Sequence, residues 1–133
     1  MIIREIRSQS GDKRGLSFPV GDGLNAFLAL ARDCHITTIA PNCTRGNHFH
    51  RERGELLIVL YRDAWELYWD EGEGTEPQQR SFSGEGLVTI EVAREYSHAL
   101  RNSGNQDLFV VGLSTGPYDP DAPDAYVRRV SPE

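Results

Sequence analysis

Short segments in which hydrophobic and polar residues alternate make up most of this chain, and turn-forming residues separate them. Alternation with a period of two is typical of β-strands, because successive side chains point to opposite faces. Trp65, Leu67 and Trp69, for example, alternate with more polar neighbours, as in a strand with one buried face. The pattern predicts strands at residues 2–7, 16–20, 27–31, 36–40, 47–50, 55–62, 64–70, 87–92, 98–102 and 108–114.

Residues 24–32 overlap one of these predicted strands, but they contain enough Ala and Leu to form a helix instead, and the pattern leaves both structures open. Clusters rich in Gly, Pro, Asp and Asn separate the strands and predict turns. Many short strands joined by Gly-rich turns are typical of an antiparallel sandwich or barrel, so we predict an all-β protein. The predicted turns lie at Gly21-Asp22-Gly23 and at residues 62–63, 71–77, 83–86 and 103–105.

Two predicted strands, at residues 55–61 and 108–113, are hydrophobic on both faces. In the first of them, Leu57, Val59 and Tyr61 point to one side, whereas the alternate positions are Leu and Ile. An antiparallel strand usually exposes one face to water, so burial of both faces requires a second sheet or a partner subunit. We therefore expect a homodimer formed through a sheet face.

The size and charge of the chain exclude several classes of protein. Its 133 residues are the length of one domain, and we expect a single domain over residues 1–133. The net charge of −6 argues against binding to nucleic acid. No hydrophobic run approaches the ~20 residues of a membrane span, and the charged first residues are unlike a signal peptide. Cys34 and Cys43 are too few for a disulfide framework, so we expect reduced thiols in a cytoplasmic protein without membrane contact.

The last part of the chain, residues 117–133, is rich in Pro and Asp. This composition predicts an irregular tail that its prolines keep extended. Tyr118 and Tyr126 in this tail would either cover the mouth of a barrel or pin the tail to its outside.

Three of the four histidines occur in two short segments beside predicted strands. His48 and His50 share one face of a strand, and Glu55 opens the next strand five residues later. A tight connection brings the Glu55 carboxylate beside the two imidazoles, and His98 from a later strand would add a fourth ligand. Such ligands bind a divalent metal ion, and we expect zinc, with iron, manganese or nickel as alternatives. His35 lies outside this pattern, and we expect it to be a satisfied or exposed strand residue.

The two segments resemble the two metal-binding motifs of the cupins, which are small jelly-roll β-barrels with ligands that point into the barrel. The first motif is His48-x-His50-x4-Glu55 followed by a hydrophobic strand, and the second is His98-x3-Asn102. The resemblance implies a single-domain cupin β-barrel whose metal-binding core covers about residues 37–116, followed by the irregular tail.

Two further segments narrow the resemblance. Residues 45–50 (Arg-Gly-Asn-His-Phe-His) resemble the Arg-Gly-x-His segment of barrel proteins that act on keto-sugar nucleotides. Residues 118–126 resemble the end of the cupin domain at the C-terminus of bifunctional capsular-polysaccharide epimerase/reductases, and the whole resemblance covers about residues 37–130. It implies a 4-keto sugar-nucleotide epimerase or isomerase of polysaccharide biosynthesis. Arg45 would then bind a phosphate or a sugar carboxylate, or it is only a surface residue beside a turn.

Two departures from the cupin pattern lie in turns. The Gly that usually closes the first motif is replaced by Arg62 and Asp63, and the Pro and Gly that usually precede the second motif's histidine are Ala93 and Glu95. We therefore expect the turn before His98 to differ locally. The chain also has no Gly-rich dinucleotide fingerprint, so hydride transfer is not expected of it.

The predicted reaction passes through an enolate, which forms when a proton leaves the carbon beside a ketone. A divalent ion can stabilise the charge on the enolate oxygen, and a His or Tyr base can work near neutral pH. Tyr61, Tyr68, Tyr96 and Tyr118 are candidates for this base, and the sequence does not rank them. The same metal ligands also suit an iron-dependent dioxygenase or a non-catalytic module that binds a small molecule.

Overall fold

The structure is a computed structural model that describes residues 1–21 and 24–132. The turn predicted at Gly21-Asp22-Gly23 therefore lies mostly outside the described residues. No helix in the described ranges is long and hydrophobic enough to cross a membrane. The elements are β1 (Ile2–Ile6), β2 (Ser10–Asp12), β3 (Gly15–Ser17), α1 (Asn25–Leu30), β4 (Asp33–Ile39), β5 (Thr44–Phe49), β6 (Glu55–Tyr61), β7 (Trp65–Trp69), β8 (Gln78–Phe82), β9 (Gly86–Val92), β10 (His98–Asn102), β11 (Leu108–Ser114) and β12 (Tyr126–Val127).

Within the described residues, the strands form two five-stranded antiparallel sheets and one small hairpin, β2-β3. The first sheet has the order β1-β9-β6-β11-β4, and the second has the order β12-β5-β10-β7-β8. From β4 to β7, each strand lies in the sheet opposite to the strand before it, so the chain wraps the two sheets around one interior. The all-β prediction is confirmed, and this arrangement is that of a jelly roll.

The interior between the sheets is hydrophobic because alternate residues of each strand point inward. Trp65 is completely buried there, and its ring stacks on Phe82 with the ring centroids 4.3 Å apart. Leu57, Leu100 and Val110 belong to the same core and also line the cavity described below. The buried core also includes Val59, Tyr61, Leu67, Val88, Ile90 and Leu108.

Most predicted strands are confirmed to within three residues at each end, but the segment at residues 27–31 is a helix. Asn25–Leu30 forms α1, which was the open alternative. The strand predicted at residues 16–20 is shorter, since only Gly15–Ser17 pairs. No strand was predicted at Gln78–Phe82, which lacks an alternating pattern and is a strand because it pairs with β7 and places Phe82 against Trp65.

The tail is irregular as predicted, except that Tyr126–Val127 adds a short strand to the edge of β5. Asn47 anchors the residues that follow: its Oδ1 accepts hydrogen bonds from the N–H groups of Val130 (2.9 Å) and Ser131 (3.1 Å). Arg128 forms a bidentate ion pair with the buried Asp70, at 2.6 and 2.8 Å. These contacts hold the tail across the sheet that carries β5 and β10.

The two strands with two hydrophobic faces are covered by this chain on the inner face and only in part on the outer face. The inner face of β6 is buried in the core, as expected for a strand opposite a second sheet. On the outer face, however, Leu60 and Phe109 are 47% and 52% exposed. The second sheet therefore explains the burial of one face and not of the other.

Candidate active site

A cavity of about 380 Å³ lies between the two sheets, and both sheets contribute residues to its wall. His48 and His50 project into it from the end of β5, and His98 projects from the start of the neighbouring β10. Glu55 enters from the opposite sheet as the first residue of β6. The four residues that the sequence singled out as metal ligands therefore meet in one cavity.

The three imidazoles form a tight group, and the Glu55 carboxylate contacts two of them. One nitrogen from each of His48, His50 and His98 lies within 4.8 Å of the other two. Glu55 Oε1 is 2.6 Å from His50 Nε2, and its Oε2 is 3.3 Å from His98 Nε2. Donor atoms at these separations can converge on a single cation.

Two residues with positive φ angles, Gly46 and Glu95, make this convergence possible. Gly46 has a φ of +107°, and a Cβ there would lie 2.5 Å from the carbonyl oxygen of His98. Only glycine therefore lets β5 approach β10 so closely that His48 pairs with His98. Glu95, where cupins usually have Gly, adopts a φ of +70°, and its N–H donates to the carbonyl of His50 (2.8 Å). The expected departure before His98 is thus one of residue type, and the left-handed turn is present.

The tail fixes the orientation of one imidazole. His50 Nδ1 donates a hydrogen bond to the backbone carbonyl of Asp124, because a carbonyl oxygen can only accept. The Asp124 carboxylate in turn accepts from the backbone N–H groups of Arg51 (2.9 Å) and Glu52 (2.8 Å), which holds the carbonyl in place. The lone pair of His50 Nε2 therefore faces the Glu55 carboxylate, and this nitrogen is buried with no aligned hydrogen bond.

The electrostatics of the site favour the metal-binding forms of Glu55 and His48. Burial raises the pKa of the Glu55 carboxyl, but the contacts with His50 and His98 lower it more, so its pKa lies well below the usual range. Burial, together with repulsion from His98 and His50, lowers the pKa of His48 to about 4. At neutral pH, Glu55 is therefore ionised and His48 is neutral, as metal ligands must be.

The contact with Glu55 raises the pKa of the His50 imidazole. Burial lowers the pKa of the His50 imidazole, but the hydrogen bond and the negative charge of Glu55 raise it more, and the net shift is upward. A proton on Nε2 would have to leave before this nitrogen could bind a metal ion. This donor set and the buried, unpaired Nε2 fit a divalent ion.

Two arginines give the cavity positive charge. Arg45 lines it and is exposed, which is compatible both with a residue that binds a phosphate or a carboxylate and with a surface residue beside a turn. Arg53 also lines it but was not predicted, because the Arg-Glu-Arg-Gly turn has the composition of a solvated loop. The Arg53 side chain is only 13% exposed, its Nη2 lies 3.9 Å from Glu55 Oε1, and its Nε is buried without a hydrogen-bond partner.

His35 is not part of the imidazole group, as predicted, yet it lines the same cavity. It lies on β4, and its Nδ1 is 2.5 Å from Oδ2 of Asp33. The prediction of a satisfied or exposed strand residue describes its exposure correctly, since the side chain is 53% exposed. The prediction missed the face of the strand, which the pairing of β4 with β11 decides.

Of the four tyrosines considered as bases, Tyr118 is the one that lines the cavity in the described structure. Its ring meets the His35 imidazole edge-on, with the centroids 5.4 Å apart. Tyr61 packs against Trp65 in the core, and burial raises its pKa further from neutrality. Tyr68 and Tyr96 do not line the cavity either, and Tyr126 stacks on Phe49 to pin the tail.

The sequence profile of one protein family, described as the polysaccharide biosynthesis C-terminal domain, matches residues 29–126. No curated protein matches the chain significantly in sequence.

Several solved structures share the fold. The capsular polysaccharide assembling protein CapF from Staphylococcus aureus is 22% identical with a TM-score of 0.65, and the match covers 74% of this chain but only 28% of that one. The RmlC epimerase of Mycobacterium tuberculosis is 18% identical, with a TM-score of 0.71 and coverage of 94% and 66%. The 3,4-ketoisomerase QdtA of Thermoanaerobacterium thermosaccharolyticum, solved with TDP, is 16% identical, with a TM-score of 0.68 and coverage of 94% and 85%. These matches confirm the cupin fold.

Proposed function

The chain belongs to the polysaccharide biosynthesis C-terminal domain family, and from this premise we propose that it is a sugar-nucleotide epimerase or isomerase that acts on a 4-keto sugar. The observation that carries the proposal is the convergence of His48, His50, His98 and Glu55 in a cavity that also contains two arginines. Structural relatives named as an epimerase and as 3,4-ketoisomerases support it.

The charge of the cavity suits a nucleotide-linked substrate. Arg45 and Arg53 face the same space, and the largely buried Arg53 guanidinium lies 3.9 Å from the Glu55 carboxylate, beyond hydrogen-bond distance. A cation left in this state favours a negatively charged ligand, and a sugar nucleotide supplies a diphosphate. The wall between them is largely apolar, with Leu57, Leu100 and Val110, which suits the face of a sugar ring.

We assign the metal site to His48, His50, Glu55 and His98, with zinc as the first choice of ion. The contact between His50 Nε2 and Glu55 Oε1 supports this assignment, because both atoms are of the kind that divalent ions bind and they lie side by side in the cavity. A divalent ion held there supplies a Lewis acid for a carbonyl oxygen. The protein's own part would be to keep Glu55 ionised and His48 neutral, and to place the arginines where they bind and orient the substrate.

The direct test is hydrogen exchange with solvent. TDP-4-keto-6-deoxyglucose, which is the ligand named for a QdtA complex, and its UDP counterpart are incubated with the protein in deuterated buffer. We expect deuterium to enter at C3 for at least one of them, and no oxygen to be consumed. Binding without exchange would instead support a non-catalytic module, and oxygen consumption would support a dioxygenase.

We also propose that two copies pair through the outer face of the sheet β1-β9-β6-β11-β4. Phe109 lies opposite Leu60 in the register, and Ile36, on the next row, is 75% exposed. Large side chains in one exposed patch favour association. Light scattering after size exclusion should give a dimer that Phe109→Glu dissociates. Val127→Glu is the control, since Val127 is 90% exposed on the other sheet, and a monomeric wild-type protein would refute the proposal.

A cytoplasmic location is proposed on the state of the cysteines. Cys34 and Cys43 are both free and exposed. Exposed thiols remain reduced in reducing compartments, whereas oxidising compartments convert them to disulfides. Fractionation of the producing cell, with the thiols trapped by an alkylating reagent, would show whether the protein is reduced and where it resides.

A further inference from the structure

We propose that His35, positioned by Asp33, is the general base that removes the proton from the sugar carbon beside the ketone. The inference rests on the proposed function, because it names the group that the epimerase or isomerase step requires. It is carried by the geometry of one imidazole–carboxylate pair and by its place in the cavity.

The grouping of the other three histidines leaves His35 available as a base. The chain has four histidines, and three of them, His48, His50 and His98, share the group around Glu55. An imidazole whose lone pair points at a cation cannot also accept a proton from the substrate. His35 is the fourth histidine, and it lines the same cavity without touching that group.

The strand register sets the distance between Glu55 and Asp33. Glu55 on β6 pairs with Ser114 on β11, and Ser114 pairs with Asp33 on β4, so these residues form one row across the sheet. Two strand spacings separate the Glu55 and Asp33 backbones by about 9.5 Å. A sugar whose carbonyl oxygen lies at the imidazole group can therefore place its neighbouring carbon toward β4.

The space between the two ends is open. His35 pairs with Gly112 on β11, and Gly112 pairs with Leu57 on β6. All three residues line the cavity, and the central one has no side chain to fill the gap. The wall between the base and the imidazole group is thus free for a ring to lie against.

The contact with Asp33 determines which nitrogen of His35 carries the hydrogen. Asp33 Oδ2 lies 2.5 Å from His35 Nδ1, and a carboxylate oxygen can only accept a hydrogen bond. Nδ1 therefore carries the hydrogen, and the Nε2 lone pair is the one available as a base. The edge-on ring of Tyr118 restricts rotation of the imidazole. Asp33 is a positioning residue in this arrangement, and His35 is the catalytic residue.

The chemistry balances without any co-reactant. Nε2 of His35 takes the proton from C3, and the electron pair of the broken C–H bond forms a C3–C4 double bond. The carbonyl π pair moves onto the oxygen and gives an enolate. Return of the proton, or of one from solvent, to carbon completes the exchange or the rearrangement.

The test compares His35→Gln and Asp33→Asn with wild type in the exchange experiment with TDP-4-keto-6-deoxyglucose and its UDP counterpart. Loss of a general base should slow deuterium entry by at least about 100-fold in His35→Gln. Metal content and the affinity for TDP or UDP should not change, and free imidazole should restore part of the rate in His35→Ala. Gln78→Ala on the exposed edge strand β8 is the control.

Two outcomes separate this inference from the proposed function. Exchange by wild type at a rate that His35→Gln retains would overturn the role of His35 alone, whereas a wild type that exchanges neither substrate would overturn both. A readout independent of turnover is the ¹⁵N NMR spectrum of the labelled imidazoles. We expect His35 to be the Nδ1–H tautomer in wild type and a mixture in Asp33→Asn, and an Nε2–H tautomer in wild type would refute the proposal.

Discussion

His50 Nε2 and Glu55 Oε1 lie 2.6 Å apart with lone pairs directed at each other, because the Asp124 carbonyl keeps the hydrogen of His50 on Nδ1. A proton held between the two atoms relieves the repulsion between acceptors at this separation, and a metal ion bound by both would do the same. The contact thus joins three distant parts of the chain, namely the end of β5, the start of β6 and the tail.

Removal of one ligand should abolish metal binding. His50→Ala eliminates the nitrogen that faces Glu55, and we expect the affinity for zinc to fall by at least about 100-fold, the upper end of what even an outer-shell partner costs. Metal content of the purified variant, measured by plasma mass spectrometry, checks this. His35→Gln serves as the matched control and should retain the metal; normal metal content in His50→Ala would refute the assigned ligands.

Replacement of Gly46 should disturb the site through the backbone. Gly46→Ala places a Cβ 2.5 Å from the His98 carbonyl oxygen at a φ of +107°, so we expect a loss of about 3 kcal/mol in the free energy of unfolding. Gly72→Ala is the control, because Gly72 also has a positive φ, +119°, but no atom within 4 Å of the added Cβ. Denaturant unfolding of both variants measures the difference, and equal losses would mean that β5 and β10 can separate without cost.

The ion pair that holds the tail should make stability depend on pH. Burial raises the pKa of Asp70, but Arg128 and the N–H groups of Ser97 and Gly72 lower it more, so its folded-state pKa is below the usual value. The pair therefore stabilises the fold above the unfolded pKa of about 3.9, and this contribution is lost as pH falls through the folded pKa.

Asp70→Asn isolates this contribution. At pH 7 it leaves Arg128 without its anion, and we expect the free energy of unfolding to drop by about 3 kcal/mol. The gap between wild type and variant should close as the pH falls below 4. Urea unfolding at a series of pH values checks this, and Asp121→Asn on the exposed part of the tail is the control. A gap that does not change with pH would contradict the assignment.

Arg53 should matter for substrate binding more than its loop position suggests. Arg53→Gln removes the buried cation, and we expect the affinity for a sugar nucleotide to fall by about tenfold or more, as loss of a charge-assisted hydrogen bond does. Isothermal titration with UDP and TDP measures it. Arg51→Gln, which alters an exposed arginine of the same turn, should bind normally; equal affinity in Arg53→Gln would mean that this charge only balances Glu55.

Most of the fold was predictable because the strands carry their own pattern. Alternation along residues 64–70 reflects the inward face of β7, which buries Trp65, Leu67 and Trp69, and the two-sided hydrophobicity of β6 and β11 fits strands inside a sheet rather than at its edge. The helix α1 was one of two open alternatives, and β8 was not predicted. The hydrophobic residues of α1 fit either structure, and β8 is polar until Phe82, so its pairing with β7 decides its conformation.

The candidate site, too, was predictable only in part. The spacing of His48, His50 and Glu55 by itself determined that three ligand side chains share a face and a turn, because the period of a strand and the length of a tight connection are local properties. Only the tertiary structure decided that His35 and Arg53 face the same cavity, since this depends on which strand lies beside β11 and on how the turn folds back over Glu55. Neighbouring residues determine the local geometry of a strand and a turn. Which side chains of distant strands face each other depends on the packing of the whole interior.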